Sequence, residues 1–172
     1  MKEIKTKKQA AKYLDIPEDE ILYFNSEPNQ YWEYQDKNKY FHLFRFINNE
    51  YVELTKNVNA KYVKSYHNDD WEYRDEDYYY HLFREINGKQ VELTKGIKAK
   101  FALSYDNEDW KFEDEKGYEH LFRKIDGEWI ELTENVNTIE VHSCCDKYWE
   151  YLNEDGYWYQ FNKNNELINK YK

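Results

Sequence analysis

The sequence predicts a mostly β protein with four tandem 39-residue antiparallel β-meander repeats and one short N-terminal helix. Two observations carry this prediction. Tryptophan recurs at a constant interval of 39 residues. Around each tryptophan, Tyr, Phe, Val, Ile and Thr are concentrated in short runs bounded by Asn, Asp and Gly, which is typical of strands. A constant interval of this length indicates a repeat architecture. The four tryptophans are Trp32, Trp71, Trp110 and Trp149.

Four copies can be written, as residues 22–60, 61–99, 100–138 and 139–172. The same offset carries a serine, the segment His-Leu-Phe-Arg (42–45, 81–84 and 120–123) and the segment Glu-Leu-Thr (53–55, 92–94 and 131–133). The fourth copy diverges after Phe161, as expected for a terminal copy that acts as a cap. We predict that residues 22–172 form a single β-repeat domain and that residues 1–21 form an N-terminal helix and cap.

Copy two shows the predicted strands best. We expect strands near 62–66, 71–74, 78–86 and 90–94, with an acidic turn at 75–77 between the second and third. The pair Asn87-Gly88 is the strongest short hairpin signal, and copies one and three carry Asn48-Asn49 and Asp126-Gly127 there. These residues tolerate the left-handed backbone that a two-residue hairpin needs. Each copy is therefore predicted to be a four-stranded meander.

Two arrangements of the copies fit this reading. Four strands in about 40 residues fit a propeller blade, and four copies fall at the small end of the propeller range. An open stacked repeat sheet, in which each copy contacts only its neighbours, fits equally well. The sequence leaves the choice open.

The N-terminal segment has a helical pattern from Lys5 to Leu14, and Pro17 disfavours its continuation. The string KTKKQAAKYLDIPEDEI resembles the opening of excisionase-type winged helices over 17 residues. No recognition helix follows it, so we expect a cap over the first strand.

Compartment signals favour the cytoplasm. The first lysines are not followed by the apolar run of a secretory signal, and no segment approaches the length of a membrane span. Cys144 and Cys145 are adjacent, so they cannot form the disulfide framework of a small secreted domain. We expect two free thiols in a strand.

The net charge of −10 argues against direct binding of nucleic acid or an anionic membrane. Copy three has 11 acidic and 5 basic residues, a net charge of −6, against −1, −1 and −2 in the other copies. Residues needed only for the fold should be alike in all copies, so we interpret this excess as a surface for a basic protein. The predicted partner-binding residues are Asp106, Glu108, Asp109, Trp110, Glu113, Asp114 and Glu115.

Three histidines recur at one position, and together they are weak candidates for a divalent metal site. They are His42, His81 and His120. Packing on an aromatic ring with a hydrogen bond from the imidazole is the expectation we prefer. Arg45, Arg84 and Arg123 also recur, and we expect them to pair with Glu53, Glu92 and Glu131 across the hairpin.

We expect that the protein is not an enzyme and has no cofactor. A residue that recurs at the same position in three copies of a repeat is usually structural. No phosphate loop, nucleophile elbow or zinc-protease motif occurs in the sequence. The preferred function is a non-catalytic protein-binding module. Its most specific form is a small acidic cytosolic inhibitor of a nuclease or other nucleic-acid-handling enzyme, of the immunity-protein or anti-CRISPR kind.

An aromatic-rich carbohydrate-binding repeat protein is the alternative, and an enzyme of unknown type is the third. The segment 156–162, Gly-Tyr-Trp-Tyr-Gln-Phe-Asn, resembles part of the cell-wall-binding repeats of bacterial surface proteins. That resemblance implies sugar faces stacked on aromatic rings, with avidity from repetition.

Overall fold

The protein is mostly β, as predicted, in a computed structural model that describes residues 3–27, 30–144 and 147–172. Within these ranges sixteen strands form four four-stranded antiparallel sheets, one for each predicted copy, and there is one α-helix. The helix is α1 (Lys7–Leu14), followed by a 3₁₀ turn (Glu18–Glu20). The predicted fold class is confirmed.

The strands follow one another in sequence order. Copy one contains β1 (Ile21–Glu27), β2 (Tyr31–Asp36), β3 (Phe41–Ile47) and β4 (Glu50–Glu53); copy two contains β5 (Tyr62–Ser65), β6 (Trp71–Arg74), β7 (Tyr80–Ile86) and β8 (Lys89–Glu92). Copy three contains β9 (Phe101–Ser104), β10 (Trp110–Glu113), β11 (Glu119–Ile125) and β12 (Glu128–Glu131); copy four contains β13 (Thr138–Cys144), β14 (Tyr148–Asn153), β15 (Trp158–Asn162) and β16 (Leu167–Tyr171).

The predicted hairpin turns are present in each of the first three copies. Asn48-Asn49, Asn87-Gly88 and Asp126-Gly127 all have positive φ, as a two-residue hairpin requires. The third strand of copy two begins at Tyr80, although we expected it at Tyr78. Tyr78 has a φ of 68° and its N–H donates to the carbonyl of Asp75, so it closes the acidic turn instead of extending the strand.

Each sheet has two unlike faces because side chains alternate along a strand. We call the side that carries Trp32, Trp71, Trp110 or Trp149 the tryptophan face. We call the other side the leucine face; it carries Leu43, Leu82 or Leu121 and, in copy four, Gln160 at the same position. All four tryptophans are buried and all three leucines are fully buried. The repeat therefore places core residues on both sides of the sheets of copies one to three, and on the tryptophan face of copy four.

The chain divides into two compact units. The first comprises Met1–Ser65 and Trp71–Tyr78. Within it, α1 covers the tryptophan face of copy one: Ala10 and Ala11 are buried in one cluster with Trp32, and the Tyr13 ring meets the Trp32 ring edge-on at 5.9 Å. Thr6 caps the helix by accepting a hydrogen bond from the Gln9 N–H, which sets the helix start two residues after the predicted one. The predicted single domain for 22–172 stays a prediction.

The second unit comprises Tyr66–Asp70 and Tyr79–Lys172. Within it, the tryptophan face of each later copy packs on the leucine face of the copy before it. Trp110 lies in one cluster with Leu82, and Trp149 lies in one cluster with Leu121. Copies two, three and four are thus joined by aromatic burial, as nearest-neighbour packing in a repeat protein requires.

Two smaller findings concern membrane-spanning helices and the cysteines. No helix in the described ranges is long and apolar enough to cross a membrane. Cys144 is a free, partly exposed thiol at the end of β13, and Cys145, its predicted companion, lies outside the described residues.

Candidate protein-binding surface

The structure places two of the predicted partner-binding residues in the interior. Asp109 is 2% exposed and Trp110 is 4% exposed, and the Trp110 ring stacks on Phe122 with 4.3 Å between centroids. Asp109 was predicted to lie on a partner-binding surface, and it is buried instead. Trp110 belongs to the core, so the aromatic part of the predicted surface is not available to a partner.

Asp109 is held by an arginine of its own copy and a serine of the next. The Arg123 guanidinium donates to both oxygens of Asp109, with Nη2 at 2.7 Å from Oδ2, and the Ser143 hydroxyl donates to Oδ2. Copy two repeats this arrangement, in which Arg84 pairs with Asp70 and Ser104 donates to the same carboxylate. The predicted pairing of these arginines with Glu92 and Glu131 is therefore wrong. The strand register explains this, because it sets Arg84 opposite Val91 and Arg123 opposite Ile130.

The acidic turn after β10 also has an internal role. Asp114 accepts hydrogen bonds from the N–H groups of Lys116 and Tyr118. Burial on its own would raise the pKa of Asp114, but these hydrogen bonds and the neighbouring His120 outweigh it and lower that pKa. Glu115 accepts a hydrogen bond from the Tyr79 hydroxyl at 3.1 Å. Both carboxylates are committed to contacts within the protein.

The Glu115 contact is part of a repeated link between turns of successive copies. The Tyr40 hydroxyl donates to Glu76 at 2.7 Å, and the Tyr118 hydroxyl donates to Glu154 at 2.6 Å. These hydrogen bonds lower the pKa of the Glu76 and Glu154 carboxyls. Since the same pair recurs in three copies, we assign Glu115 to the repeat architecture.

Asp106 and Glu108 differ from these residues. Both side chains are exposed in the turn between β9 and β10, and no side-chain partner of either was found in the described ranges. The turn itself is anchored: the Asn107 amide donates to Asp109 and to Ser143, and the Glu108 carbonyl accepts from Arg84 Nη1 at 2.6 Å. The two carboxylates therefore project from a fixed backbone.

The topology brings two further carboxylates to the same end of the sheet. Since β10 begins at Trp110 and β11 ends at Ile125 in an antiparallel pair, the turn before β10 and the turn after β11 share one end. Asp126 and Glu128, in and beside that second turn, are both exposed. We call Asp106, Glu108, Asp126 and Glu128 together the acidic end of copy three.

Asp126 and Glu128 were not among the predicted partner-binding residues, although the alignment of the repeats shows that they differ from copy two. The corresponding residues of copy two are His67, Asp69, Asn87 and Lys89, whose charges cancel when histidine is neutral. Four carboxylates thus stand in copy three where copy two has no net charge. Asp114 and Glu115 lie beyond the other end of β10, on the order of 20 Å away along the strand. Glu113, half-buried at the end of β10, lies next to them.

Each recurring histidine is paired with a glutamate across the third hairpin. The Nδ1 atoms of His42, His81 and His120 lie 2.7–2.8 Å from Oε1 of Glu53, Glu92 and Glu131. The His42 ring stacks on Tyr34 and the His120 ring stacks on Phe112, as we expected from the sequence. In the part of the chain that the structure describes, no group of three His, Cys, Asp or Glu residues is arranged to hold a metal ion.

His42 allows a prediction about pH. Burial alone would lower its pKa, but the hydrogen bond to Glu53 and the charges of Glu53 and Asp36 raise it above the usual value. The stability that protonated His42 contributes is therefore complete below about pH 6.5 and is lost as the pH rises through the raised pKa. We expect the urea midpoint to fall between pH 6 and pH 8, and to fall less in His42→Gln. A His42 NMR titration with a midpoint below 6.5 would contradict this.

Comparisons with known proteins show similarity of fold only. No family model matches the chain, and no curated protein matches it. Similar solved structures include human WBSCR16 (10% identity, TM-score 0.46, covering 84% of this chain and 48% of that one). Another is yeast RCC1 (Prp20) bound by Kap60 (8% identity, TM-score 0.46, covering 83% of this chain and 43% of that one). The WD40 β-propeller domain of Doa1 is also similar (12% identity, TM-score 0.41, covering 88% of this chain and 53% of that one). The chain spans about half the length of these proteins, and likeness at this level bears on neither ligand nor partner.

Proposed function

We propose that this protein is a non-catalytic protein-binding module whose acidic end of copy three binds a basic protein. The observation that carries the proposal is the set of four exposed carboxylates on two adjacent turns, where copy two has a neutral set. Carboxylates arranged in this way steer a positively charged partner and raise the association rate.

The anchored backbone supports the same proposal. The turn that carries Asp106 and Glu108 is held by Asn107 and by Arg84, and the second turn is a two-residue hairpin. A partner that binds these turns does not have to order them first, which reduces the entropic cost of association. The repeated His–Glu and Arg–Asp pairs have roles inside the fold, so they supply no catalytic set.

In its most specific form, the proposal is a cytosolic inhibitor that occupies the basic groove of a nuclease or another nucleic-acid-handling enzyme, as immunity and anti-CRISPR proteins do. The chain carries a net charge of −10, which complements such a groove. The test is affinity purification of the tagged full chain from its native cells, followed by mass spectrometry. A basic nucleic-acid-binding protein is expected, and a glycan-processing complex without such a protein would contradict the proposal.

Neutralising the acidic end should slow association with the captured partner. We expect Asp106→Asn, Glu108→Gln, Asp126→Asn and Glu128→Gln together to lower the on-rate about tenfold at low salt and to flatten its salt dependence, because such charges act mainly on encounter. Surface plasmon resonance at two ionic strengths measures both effects. The fold should remain intact, because exposed substitutions of this kind usually change stability by less than about 0.5 kcal/mol each.

The matched control carries the same change of net charge at exposed positions outside the acidic end. These changes are Glu18→Gln, Glu50→Gln, Asp77→Asn and Glu134→Gln. The control should retain most of the original on-rate. If both variants slow association equally, net charge alone explains the effect and the acidic end is not the binding surface.

A further inference from the structure

The leucine face of copy four is unlike the same face of the other copies. Gln160 stands where Leu43, Leu82 and Leu121 are fully buried, and Gln160 remains partly exposed. In copies two and three this face is covered by the tryptophan face of the following copy. In copy four the leucine face is a polar and aromatic surface whose side chains are partly exposed.

Aromatic rings and carboxylates occupy this face. The rings of Trp158 and Tyr171 lie 6.5 Å apart with planes 13° from parallel, and the His142 ring lies 5.5 Å from that of Trp158. Glu150 is fixed beside them, since its Oε2 accepts hydrogen bonds from the Tyr171 hydroxyl at 2.8 Å and from Gln160 Nε2 at 3.1 Å. In the described ranges, no hydrogen bond to the other oxygen of Glu150 was found. The carboxylate is therefore oriented and keeps one acceptor oxygen.

The charges of this face are negative. Glu140 and Glu150 lie on it, and His142 pairs with Glu140 at 2.8 Å. Lys170 is directed to the opposite side of the sheet, where its ammonium group meets the Tyr159 hydroxyl at 2.6 Å. An aromatic surface with an oriented carboxylate is complementary to a guanidinium group, which stacks on aromatic rings and pairs with carboxylates through its planar fork.

We propose that this face binds an arginine side chain of a protein partner, with the guanidinium stacked on Trp158 and paired with Glu150. The proposal rests on the proposed function only for the basic character of the partner. A second copy of the chain is not the expected occupant, because the tryptophan face of copy one, which would match it, is already covered by α1. The site adds a specific anchor in copy four to the electrostatic steering by copy three.

The test uses the full chain and two synthetic peptides that differ only in carrying arginine or lysine. Binding is followed by calorimetry and by the indole N–H signal of Trp158 in NMR spectra. The arginine peptide should shift that signal and bind about tenfold more tightly than the lysine peptide. Glu150→Gln and Trp158→Ala should each weaken its binding about tenfold. If Trp158→Ala does not fold, Tyr171→Leu, at a 38% exposed position, replaces it.

Two controls separate this proposal from the proposed function. Tyr157→Ala, which removes a ring that lies 4.5 Å from Lys170 Nζ, should leave arginine-peptide binding unchanged. The four-residue neutralisation of the acidic end should also leave it unchanged, whatever that variant does to the native partner. Equal affinity for both peptides would overturn the arginine site, because only general charge attraction would remain. A Trp158 signal that shifts with neutral oligosaccharides and not with the arginine peptide would overturn it in favour of sugar binding.

Discussion

Replacing Trp32 with alanine is expected to cost about 3–5 kcal/mol of unfolding free energy, the usual range for removal of a buried aromatic side chain. Trp32 is fully buried and stacks on Phe44 with 4.0 Å between ring centroids and planes 3° from parallel. It also receives the edge of the Tyr13 ring from α1. The variant therefore loses ring contacts within copy one and the contact that docks the helix.

Urea unfolding monitored by circular dichroism measures this loss, with Trp158→Ala as the matched control. Trp158 is partly exposed, so the same chemical change should cost clearly less there. Equal losses in the two variants would mean that Trp32 is no more important to the core than a surface tryptophan. That result would contradict the packing of α1 on copy one.

The second large effect is expected at Asp70. Asp70 is fully buried and pairs with Arg84, whose Nε and Nη2 lie 2.9 Å and 2.5 Å from its carboxylate oxygens. Asp70→Ala leaves the guanidinium buried without a counter-charge, and the expected cost is about 3–5 kcal/mol. It also removes the acceptor for the Ser104 hydroxyl, which joins copy two to copy three.

A double variant distinguishes the cost of an unpaired charge from the cost of a lost contact. Asp70→Leu with Arg84→Met removes both charges, so we expect it to recover most of the stability that Asp70→Ala loses. Asp106→Ala, the same change as Asp70→Ala at an exposed aspartate, should stay within about 0.5 kcal/mol of the original protein. A double variant as unstable as Asp70→Ala would show that the ion pair itself stabilises the fold.

The candidate surface was only partly predictable from the sequence. The charge excess of copy three led to the prediction of Asp106 and Glu108 as binding residues, and both side chains are exposed. The charge count could not distinguish them from Asp109, because the residue type alone does not show whether an aspartate is exposed or buried. The signal that separates them is the repeat: Asp109 has a counterpart in Asp70, whereas Asp106 corresponds to His67.

The sequence by itself determined the repeat length, the four strands of each copy and the hairpin turns. These features depend on local chemistry: alternation of side chains, β-branched and aromatic residues in strands, and Asn, Asp or Gly where φ is positive. These features can be predicted from the sequence because each depends on residues that are only a few positions apart. The start of the third strand of copy two was predicted two residues too early, because a hydrogen-bonded turn extends to Tyr78.

Only the tertiary structure decided which charges pair and which remain free. Arg84 pairs with Asp70, 14 residues away, and not with Glu92, because strand register and burial select the partner and both carboxylates are chemically equivalent. In the same way, Asp126 and Glu128 join Asp106 and Glu108 because β10 and β11 are antiparallel, so turns that are distant in sequence share one end of a sheet. Pairing in space depends on chain direction and register, and these are properties of the folded sheet.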